Sequence, residues 1–268
     1  MSSRRAVVAE ILTTGTEILM GKVVNTNASW LARRLTEMGV VVRRATSVPD
    51  DVDEIASCVR EALNRGVDLL VVTGGLGPSR DDVTGEAIAR ALDLRCSLNE
   101  AALDMVAERL RARGLELTES RAKMAMMPEG ATPIPNPVGV APGVLIEAGG
   151  ALIVALPGVP REMRAMFDEH VAPLVRGLSR GSFVEGSVVV RGLPESDLAQ
   201  VLESLTEGLE CDVYAKTRVV SPGVVEVYVT ATRSECRGAL AELIEAVERE
   251  VVKMGGEVVS ARLSGPTR

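Results

Sequence analysis

Hydrophobic and polar positions follow two alternating periods along the first part of the chain. Apolar runs predict strands over Arg4–Leu12, Val40–Val48 and Val67–Val72. The last run is rich in β-branched residues, which is typical of a central strand buried on both faces. Apolar residues recur at helical spacing after Asn25 and after Asp51, and a glycine ends each of these segments. The order strand, helix, strand, helix, strand predicts a mostly parallel sheet with right-handed crossovers.

The pattern is less regular in the middle of the chain. Arg121–Met127 is predicted to be helical, and Pro128–Pro142 is so rich in proline and glycine that it is a candidate binding loop. A hairpin is predicted from Val144–Ile146 and Ala151–Leu156, which flank a glycine pair. Leu156–Pro160 then forms a sharp turn before another helix, with a proline near the first helical position.

The last third of the chain predicts a separate, smaller module after a linker near residues 178–182. Its elements are expected in the order strand, helix, strand, strand, helix, strand, over Ser187–Arg191, Ser196–Thr206, Glu210–Val219, Val224–Thr232, Glu235–Met254 and Gly256–Ser260. This order is typical of ferredoxin-like and KH-like α+β modules. We therefore predict an α/β domain with a mostly parallel sheet over residues 1–178 and a βαββαβ domain over residues 182–268.

Composition narrows the class of protein. A net charge of −7 argues against a general nucleic-acid binder, and the smaller module lacks both the G-x-x-G loop of KH domains and stacking aromatics. No apolar run approaches the roughly 18 residues of a membrane-spanning helix, and the N-terminus lacks a signal-peptide core. We therefore expect a cytoplasmic protein with neither a nucleic-acid nor a membrane partner. The scattered cysteines, which form no C-x-x-C pair, are expected to be reduced thiols: Cys58, Cys96, Cys211 and Cys236.

A glycine-rich loop and an acid pair follow the third predicted strand. Thr73–Pro78 contains three glycines, Asp81 and Asp82 follow, and a helical pattern opens at about Val83. Loop amides and a helix N-terminus can hold phosphate oxygens, and the acids can hold a hard cation that bridges to them. We expect one acid to cap the helix and the other to remain free for the cation. Neither Gly-Lys-Ser/Thr nor G-x-G-x-x-G is present here, which argues against a P-loop kinase and a Rossmann dehydrogenase.

Two further loops are predicted at the same edge of the sheet. Thr13–Glu17 follows the first strand, and Leu156–Pro160 follows a later one. Ligands of parallel sheets bind beyond the carboxyl ends of the strands, so these loops and the glycine-rich loop should share one crevice. The only histidine, His170, falls late in a predicted helix, far from the loops. Carboxylates with a hard metal, backbone amides and arginines are therefore the groups left for chemistry.

Five motifs stand in order between about residues 6 and 175: Gly15–Gly21, Asn25–Asn27, Thr73–Thr84, Asn136 with Gly139–Gly143, and Leu156–Met163. In this order they resemble the N-terminal region of the CinA (competence/damage-inducible protein) family, within the molybdopterin-binding (MoCF biosynthesis) superfamily. The smaller module resembles the KH-like segment that follows in CinA proteins. The deamidase domain that ends many of them has no counterpart in this sequence.

This resemblance implies a three-layer α/β/α domain whose pocket holds a nucleotide or a pterin. It implies catalytic and metal-binding roles for the pair Asp81 and Asp82, one of which matches the acid of the glycine motif. Asn25 stands where molybdopterin adenylyltransferases usually carry aspartate, which argues against pterin adenylylation, and Ser79 keeps the hydroxyl of a more usual threonine. Ligand contacts are expected from loop residues: Gly15, Thr16, Glu17, Asn25, Asn27, Thr73, Gly74, Gly75, Gly77, Ser79, Asn136, Pro157 and Gly158.

The resemblance further implies metal-dependent hydrolysis of a nucleoside diphosphate sugar of the ADP-ribose type, giving AMP and a sugar phosphate. A divalent Mg, Mn or Co ion would neutralise the pyrophosphate while a water attacks phosphorus in line. Two alternatives remain open: an enzyme that processes molybdopterin, and a non-enzymatic protein that binds a nucleotide or a pterin. We expect a small-molecule ligand and a homodimer, since superfamily members are usually oligomers.

Overall fold

A computed structural model describes residues 6–178 and 183–265. These residues form two compact units, one mainly over 6–178 and the other mainly over 183–265, which are described separately. The predicted linker at 178–182 falls almost entirely outside the described residues, so the domain boundary stays a prediction. Within the described ranges, no helix is both long and apolar enough to cross a membrane.

The first unit alternates strands and helices over its first half. Its strands are β1 Val8–Thr14, β2 Val41–Val48, β3 Leu69–Thr73, β4 Cys96–Leu98, β5 Met126–Pro128, β6 Thr132–Ile134, β7 Gly143–Ala148 and β8 Ala151–Leu156. Its α-helices are α1 Thr16–Leu19, α2 Thr26–Glu37, α3 Val52–Asn64, α4 Thr84–Ala91, α5 Glu100–Arg111, α6 Glu119–Ala122, α7 Pro160–Met166 and α8 Ala172–Leu178. A 3₁₀ turn at Lys123–Ala125 follows α6, and a π-helical turn at Phe167–Val171 joins α7 to α8.

The main sheet has the strand order β2-β1-β3-β8-β7-β6. Strands β2, β1, β3 and β8 run parallel, whereas β7 and β6 are antiparallel to their neighbours. All five residues of β3 are buried, as expected for a central strand covered on both faces. This arrangement confirms the predicted α/β class and the mostly parallel sheet. The register pairs Thr73 with both Thr13 and Leu156, so the carboxyl ends of β1, β3 and β8 lie side by side.

Two α-helices of the first unit begin at the polar capping residues that the sequence indicated. Asp51 caps α3 by accepting hydrogen bonds from the amides of Asp53 and Glu54, at 2.9 and 3.0 Å. Asn25 Oδ1 accepts the amide of Ala28 at 3.0 Å at the start of α2. These local interactions explain why the polar residues before each apolar stripe predicted the helices well.

The predicted helix over Arg121–Met127 is wrong in its second half. The helical segment ends at Ala125, and Met126–Pro128 forms β5, which pairs antiparallel with β4. Pro128 disfavours a helical conformation at the residue before it, and extended backbone lets Met127 bury its side chain almost completely. The predicted loop over Pro128–Pro142 also contains a short strand, β6, paired with β7.

The second unit confirms the βαββαβ prediction. Its elements are β9 Val184–Arg191, α9 Glu195–Thr206, β10 Val213–Ser221, β11 Val224–Ala231, α10 Arg237–Lys253 and β12 Glu257–Ser264. The strands form an antiparallel sheet in the order β10-β11-β9-β12. Alternate residues of β9 and β11 pack into a core with α9 and α10, which is the layer arrangement expected of an α+β module.

A disulfide joins Cys211 to Cys236 in the second unit, with 5.7 Å between their Cα atoms. The prediction of four reduced cysteines is therefore wrong for this pair, while Cys58 and Cys96 are free. Cys211 precedes β10 and Cys236 precedes α10, and both side chains pack at the apolar core. Their proximity comes from the tertiary fold, so the spacing of the cysteines along the chain did not reveal it.

Reduction of this disulfide is expected to destabilise the second unit. A cross-link that closes a 25-residue separation restricts the unfolded chain and is worth about 3.5 kcal/mol in free energy of unfolding. Urea unfolding with and without reductant should therefore differ for the unmodified protein but not for Cys211→Ser. The variant Cys58→Ser, which leaves the disulfide intact, should keep the response to reductant. Identical unfolding curves with and without reductant would contradict a stabilising disulfide.

Candidate ligand-binding site

Loops after β1, β3 and β8 meet at the carboxyl edge of the sheet, as predicted. Asn27 Nδ2 donates to Thr73 Oγ1 at 3.0 Å and to the carbonyl of Gly158 at 2.8 Å. Thr73 Oγ1 in turn donates to the carbonyl of Pro157 at 3.0 Å. The structure thus brings together Asn27, Thr73, Pro157 and Gly158, which come from three distant parts of the chain.

The glycine loop, Gly74–Asp82, lies closely against the end of β1. A Cβ atom on Gly74 would lie 2.5 Å from the carbonyl oxygen of Thr14, and one on Gly75 would lie 2.3 Å from Thr84 Oγ1. Thr84 Oγ1 donates to the carbonyl of Gly74 at 2.8 Å, and the amide of Thr84 donates to the carbonyl of Gly75 at 3.0 Å. Thr14 and Thr84 were not predicted as site residues, yet they bind the loop to β1 and to the start of α4.

Three successive amides of the glycine loop are open. The backbone N–H groups of Gly75, Leu76 and Gly77 donate to no acceptor among the described residues. The loop leads into the N-terminus of α4, whose dipole favours negative charge. Consecutive free amides beside a helix N-terminus can bind an anion in the concavity that they form. The sequence predicted this phosphate-binding role for the loop that contains Gly75 and Gly77.

The acid pair does not cap α4. The residue before the helix is Val83, and no side chain caps the helix there. Asp82 Oδ2 instead accepts the amide of Ser79 at 2.8 Å and packs against Gly77, where a Cβ atom would lie 2.7 Å away. The expectation that one acid caps the helix is therefore wrong, because the turn from Ser79 to Asp82 directs the carboxylate back onto the loop. Asp81 is exposed.

A cavity of about 700 Å³ opens beside the glycine loop. It is called the larger cavity only in contrast to a cleft of about 90 Å³ at the ends of β1 and β3, because a more open groove of about 800 Å³ shares its wall at Lys123 and Met126. The larger cavity is lined by Gly75, Leu76, Gly77, Asp82, Gly85, Glu86, Ala89, Arg90, Asp93, Leu94, Cys96, Lys123, Met124, Met126, Pro142 and Val144. Of the acid pair, only Asp82 lines it. Cys96 is half-buried. Its pKa is raised mainly because burial disfavours the charged thiolate, and to a smaller extent because the negative charge of Glu86 lies nearby. Cys96 is therefore a neutral thiol and not a reactive thiolate.

Lys123 is the functional candidate that sequence reasoning missed. Its Nζ donates to the carbonyls of Ser79 and Arg80, at 2.5 and 3.2 Å, and it lines the larger cavity. The other basic residue of the lining, Arg90, is already paired with Asp53 at 2.7 Å and Glu86 at 3.3 Å. Lys123 thus holds the outer part of the glycine loop and places a positive charge beside the open amides.

Asn136 shapes a neighbouring loop and has no free polar atom for a ligand. Its Nδ2 donates to the carbonyl of Ala141 at 2.9 Å and to Glu162 Oε2 at 2.8 Å. Its Oδ1 accepts the amides of Val138 and Gly139, at 3.0 and 2.6 Å. These bonds close a compact loop that carries Pro142 to the wall of the larger cavity.

A smaller opening of about 90 Å³, the β1–β3 cleft, lies at the carboxyl ends of those two strands. It is lined by Thr13, Thr14, Glu17, Ile18, Val23, Val24, Asn25, Thr26, Asn27, Thr73, Gly158 and Pro160. Gly15 and Thr16 do not line it: Gly15 donates to the carbonyl of Val48, and Thr16 exchanges hydrogen bonds with Asp50. Ser79 is exposed on the outer side of the glycine loop.

The chain has relatives that match along most of its length. A protein of Pyrobaculum aerophilum is 46% identical over 256 residues, covering 92% of this chain and 95% of its own. A protein of Aeropyrum pernix is 43% identical over 258 residues, covering 93% and 96%. A crystal structure from Thermoplasma acidophilum, described as the protein CinA with unknown function, is 42% identical and has a TM-score of 0.58. It covers 62% of this chain and 98% of its own, and it confirms the resemblance to the CinA family.

A sequence profile described as a probable molybdopterin binding domain matches residues 10–177. This match overturns the principal functional prediction: metal-dependent hydrolysis of an ADP-ribose-type substrate is wrong, and the alternative of a molybdopterin-related function is supported instead. The glycine loop could not separate the two in advance, because phosphate oxygens of either ligand suit the same open amides. Since the profile covers more than half of the chain, the chain belongs to the MoCF_biosynth family of probable molybdopterin-binding domains.

Proposed function

We propose that this protein binds molybdopterin, a pterin with a sulfur-bearing, phosphorylated side group, at the glycine loop. The observation that carries the proposal is the row of open amides at Gly75, Leu76 and Gly77, which faces a cavity of about 700 Å³. That volume lies within the range of small-molecule pockets, about 300–1,000 Å³. Amides at the mouth of such a cavity support recognition of a ligand that carries an anionic group.

In the proposed binding mode, the phosphate and the sulfur-bearing part of the ligand contact different groups of residues. The phosphate lies on the open amides, where the N-terminus of α4 and the ammonium group of Lys123 add favourable charge. The sulfur-bearing part lies against the apolar lining of the cavity, formed by the buried side chains of Leu76 and Met124 and the exposed side chain of Met126. Methionine side chains are polarisable and adaptable, and so suit a sulfur-rich group.

We further propose that a divalent cation joins the site only together with the ligand. Among the described residues, no group of three or more His, Cys, Asp or Glu side chains could hold a metal ion. The loop does present one carboxylate, Asp82, whose Oδ2 is held by the amide of Ser79. Mg²⁺ is commonly bound by one or two carboxylates plus phosphate oxygens and water. Asp82 and the ligand phosphate together would meet that requirement, and the ion would neutralise the phosphate.

A comparison of two pterins tests the proposed binding mode. 6-Hydroxymethylpterin and its phosphate monoester would be titrated by pterin fluorescence against the unmodified protein, Lys123→Met and Lys253→Met. We expect the phosphate to tighten binding by about 100-fold, since charge-assisted hydrogen bonds are worth roughly 1.5–3 kcal/mol each. Lys123→Met should weaken binding of the ester by about tenfold and leave the unphosphorylated pterin unaffected.

The control Lys253→Met removes a lysine of the second unit that pairs with Glu250, and it should match the unmodified protein. AMP and ADP-ribose, tested in parallel, represent the alternative of a nucleotide-binding protein and should bind more weakly than the pterin ester. Equal affinities for the two pterins would contradict phosphate binding at the glycine loop. The predicted homodimer stays a prediction, to be measured by light scattering over a range of protein concentrations.

A further inference from the structure

The β1–β3 cleft lies at the topological switch point of the main sheet. The strand order in the sheet reverses direction at β1, because the chain adds β2 on one side of β1 and β3 on the other. A crevice opens outside the carboxyl ends of strands at such a switch point, and ligands of open α/β sheets bind there. The cleft lies at this point and is separate from the larger cavity described above.

One buried atom of the cleft lacks a hydrogen-bond partner. The amide orientation of Asn27 is set by its Nδ2, which must donate to the carbonyl of Gly158 at 2.8 Å. Asn27 Oδ1 consequently points away from that carbonyl, and it has no partner among the described residues although Asn27 is only 6% exposed. A buried acceptor without a donor is costly, so an N–H group from a ligand would be bound strongly there.

The remaining polar atoms of the cleft also favour a donor. Glu17 carries a carboxylate, which lies against Gly15, 2.8 Å from the position of a Cβ atom there. Asn25 offers nothing free: its Nδ2 donates to Thr13 and Ser47, and its Oδ1 accepts the amide of Ala28. The open groups are therefore an amide oxygen and a carboxylate, which only accept, and the exposed hydroxyl of Thr26, which can accept as well as donate.

Apolar side chains form the rest of the wall, namely Ile18, Val23, Val24 and Pro160. A hydrated cation would gain nothing from these walls, and Glu17 is the only carboxylate among the lining residues. A flat heteroaromatic ring with N–H groups along one edge matches both features, because its faces are apolar and its edge donates. The volume of about 90 Å³ suits the edge of such a ring and not a whole nucleoside.

The cleft adjoins the glycine loop closely enough for one ligand to reach both. Thr14 lines the cleft and Gly75 lines the larger cavity, and a Cβ atom on Gly75 would lie 3.1 Å from Thr14 Oγ1. We infer that the β1–β3 cleft binds the amino-bearing edge of the pterin ring, whose N–H groups donate to Asn27 Oδ1 and to the carboxylate of Glu17. This inference rests on the proposed function, and it assigns ring recognition to residues that lie apart from the phosphate contacts.

A pair of ring analogues tests the inference without changing the protein. The phosphate monoester of 6-hydroxymethylpterin would be compared with the corresponding lumazine ester, in which a carbonyl oxygen replaces the 2-amino group. Lumazine keeps the ring N3–H donor but presents an oxygen in place of the 2-amino group, so one of the two acceptors, Asn27 Oδ1 or Glu17, would face that oxygen. We therefore expect the lumazine ester to bind about 10- to 100-fold more weakly. Glu17 is exposed, so Glu17→Gln should fold normally and should narrow the preference for the pterin by about tenfold.

The control variant Glu100→Gln removes an exposed carboxylate at the start of α5 and should keep the full preference. If both esters bind with equal affinity, or if Glu17→Gln leaves the preference unchanged, this inference is overturned while the proposed function stands. If neither ester binds, the proposed function fails and the inference fails with it.

Discussion

Gly74→Ala is expected to destabilise the first unit by about 3–5 kcal/mol, the largest effect that we predict for a single substitution. Gly74 has φ +112°, a conformation that alanine adopts only with strain. The added Cβ atom would also lie 2.5 Å from the backbone oxygen of Thr14. A backbone atom in a central strand cannot move aside cheaply, so strain and overpacking, each worth roughly 1–3 kcal/mol, add together.

Urea unfolding of Gly74→Ala would measure this cost. Gly130→Ala is the matched control, because Gly130 also has a positive φ, +84°, but nothing lies within 4 Å of its Cβ position. The control should lose about 1 kcal/mol through strain alone. A loss in Gly74→Ala no larger than that in Gly130→Ala would mean that the close approach of the glycine loop to β1 is not required.

Asp82→Asn is expected to change ligand affinity in a direction that depends on divalent cations. With Mg²⁺ present, the loss of the carboxylate removes a ligand of the proposed cation and should weaken binding of the pterin ester by about 10- to 100-fold. With EDTA, the same carboxylate only repels the phosphate, so the variant should bind at least as tightly as the unmodified protein. Asparagine can still accept the amide of Ser79, so the melting temperature without ligand should not change.

Asp81→Asn is the control for this comparison, because Asp81 is the exposed member of the pair and does not line the larger cavity. It should behave as the unmodified protein in both buffers. An equal loss of affinity for Asp82→Asn in Mg²⁺ and in EDTA would contradict the cation and leave Asp82 as a direct contact or a support of the loop.

The sequence predicted the fold well because its signals are local. Apolar runs marked β1, β2 and β3, and polar caps such as Asp51 marked the helix starts. Parallel strands place their carboxyl ends together, so the meeting of the loops near Thr73 and Gly158 followed from strand order alone. The βαββαβ order of the second unit is likewise readable from period and turn residues.

The features that were missed depend on tertiary contacts. Lys123 reaches Ser79 across 44 positions of sequence, and its helical surroundings gave no sign of a loop contact. Asp82 resembled a helix cap until the turn from Ser79 directed it back onto the loop. Cys211 and Cys236 meet only after the second core has formed. The functional prediction failed for a related reason: a phosphate-binding loop does not specify what is attached to the phosphate.

Anaerobic equilibrium dialysis with molybdopterin itself tests the central claim most directly. The unmodified protein should retain the ligand saturably, at about one molecule per chain. The phosphate monoester of 6-hydroxymethylpterin should displace molybdopterin from the protein, whereas unphosphorylated 6-hydroxymethylpterin should not. Absence of retention at protein and ligand concentrations of about 1 mM, well above the dissociation constants typical of cofactor sites, would contradict the account.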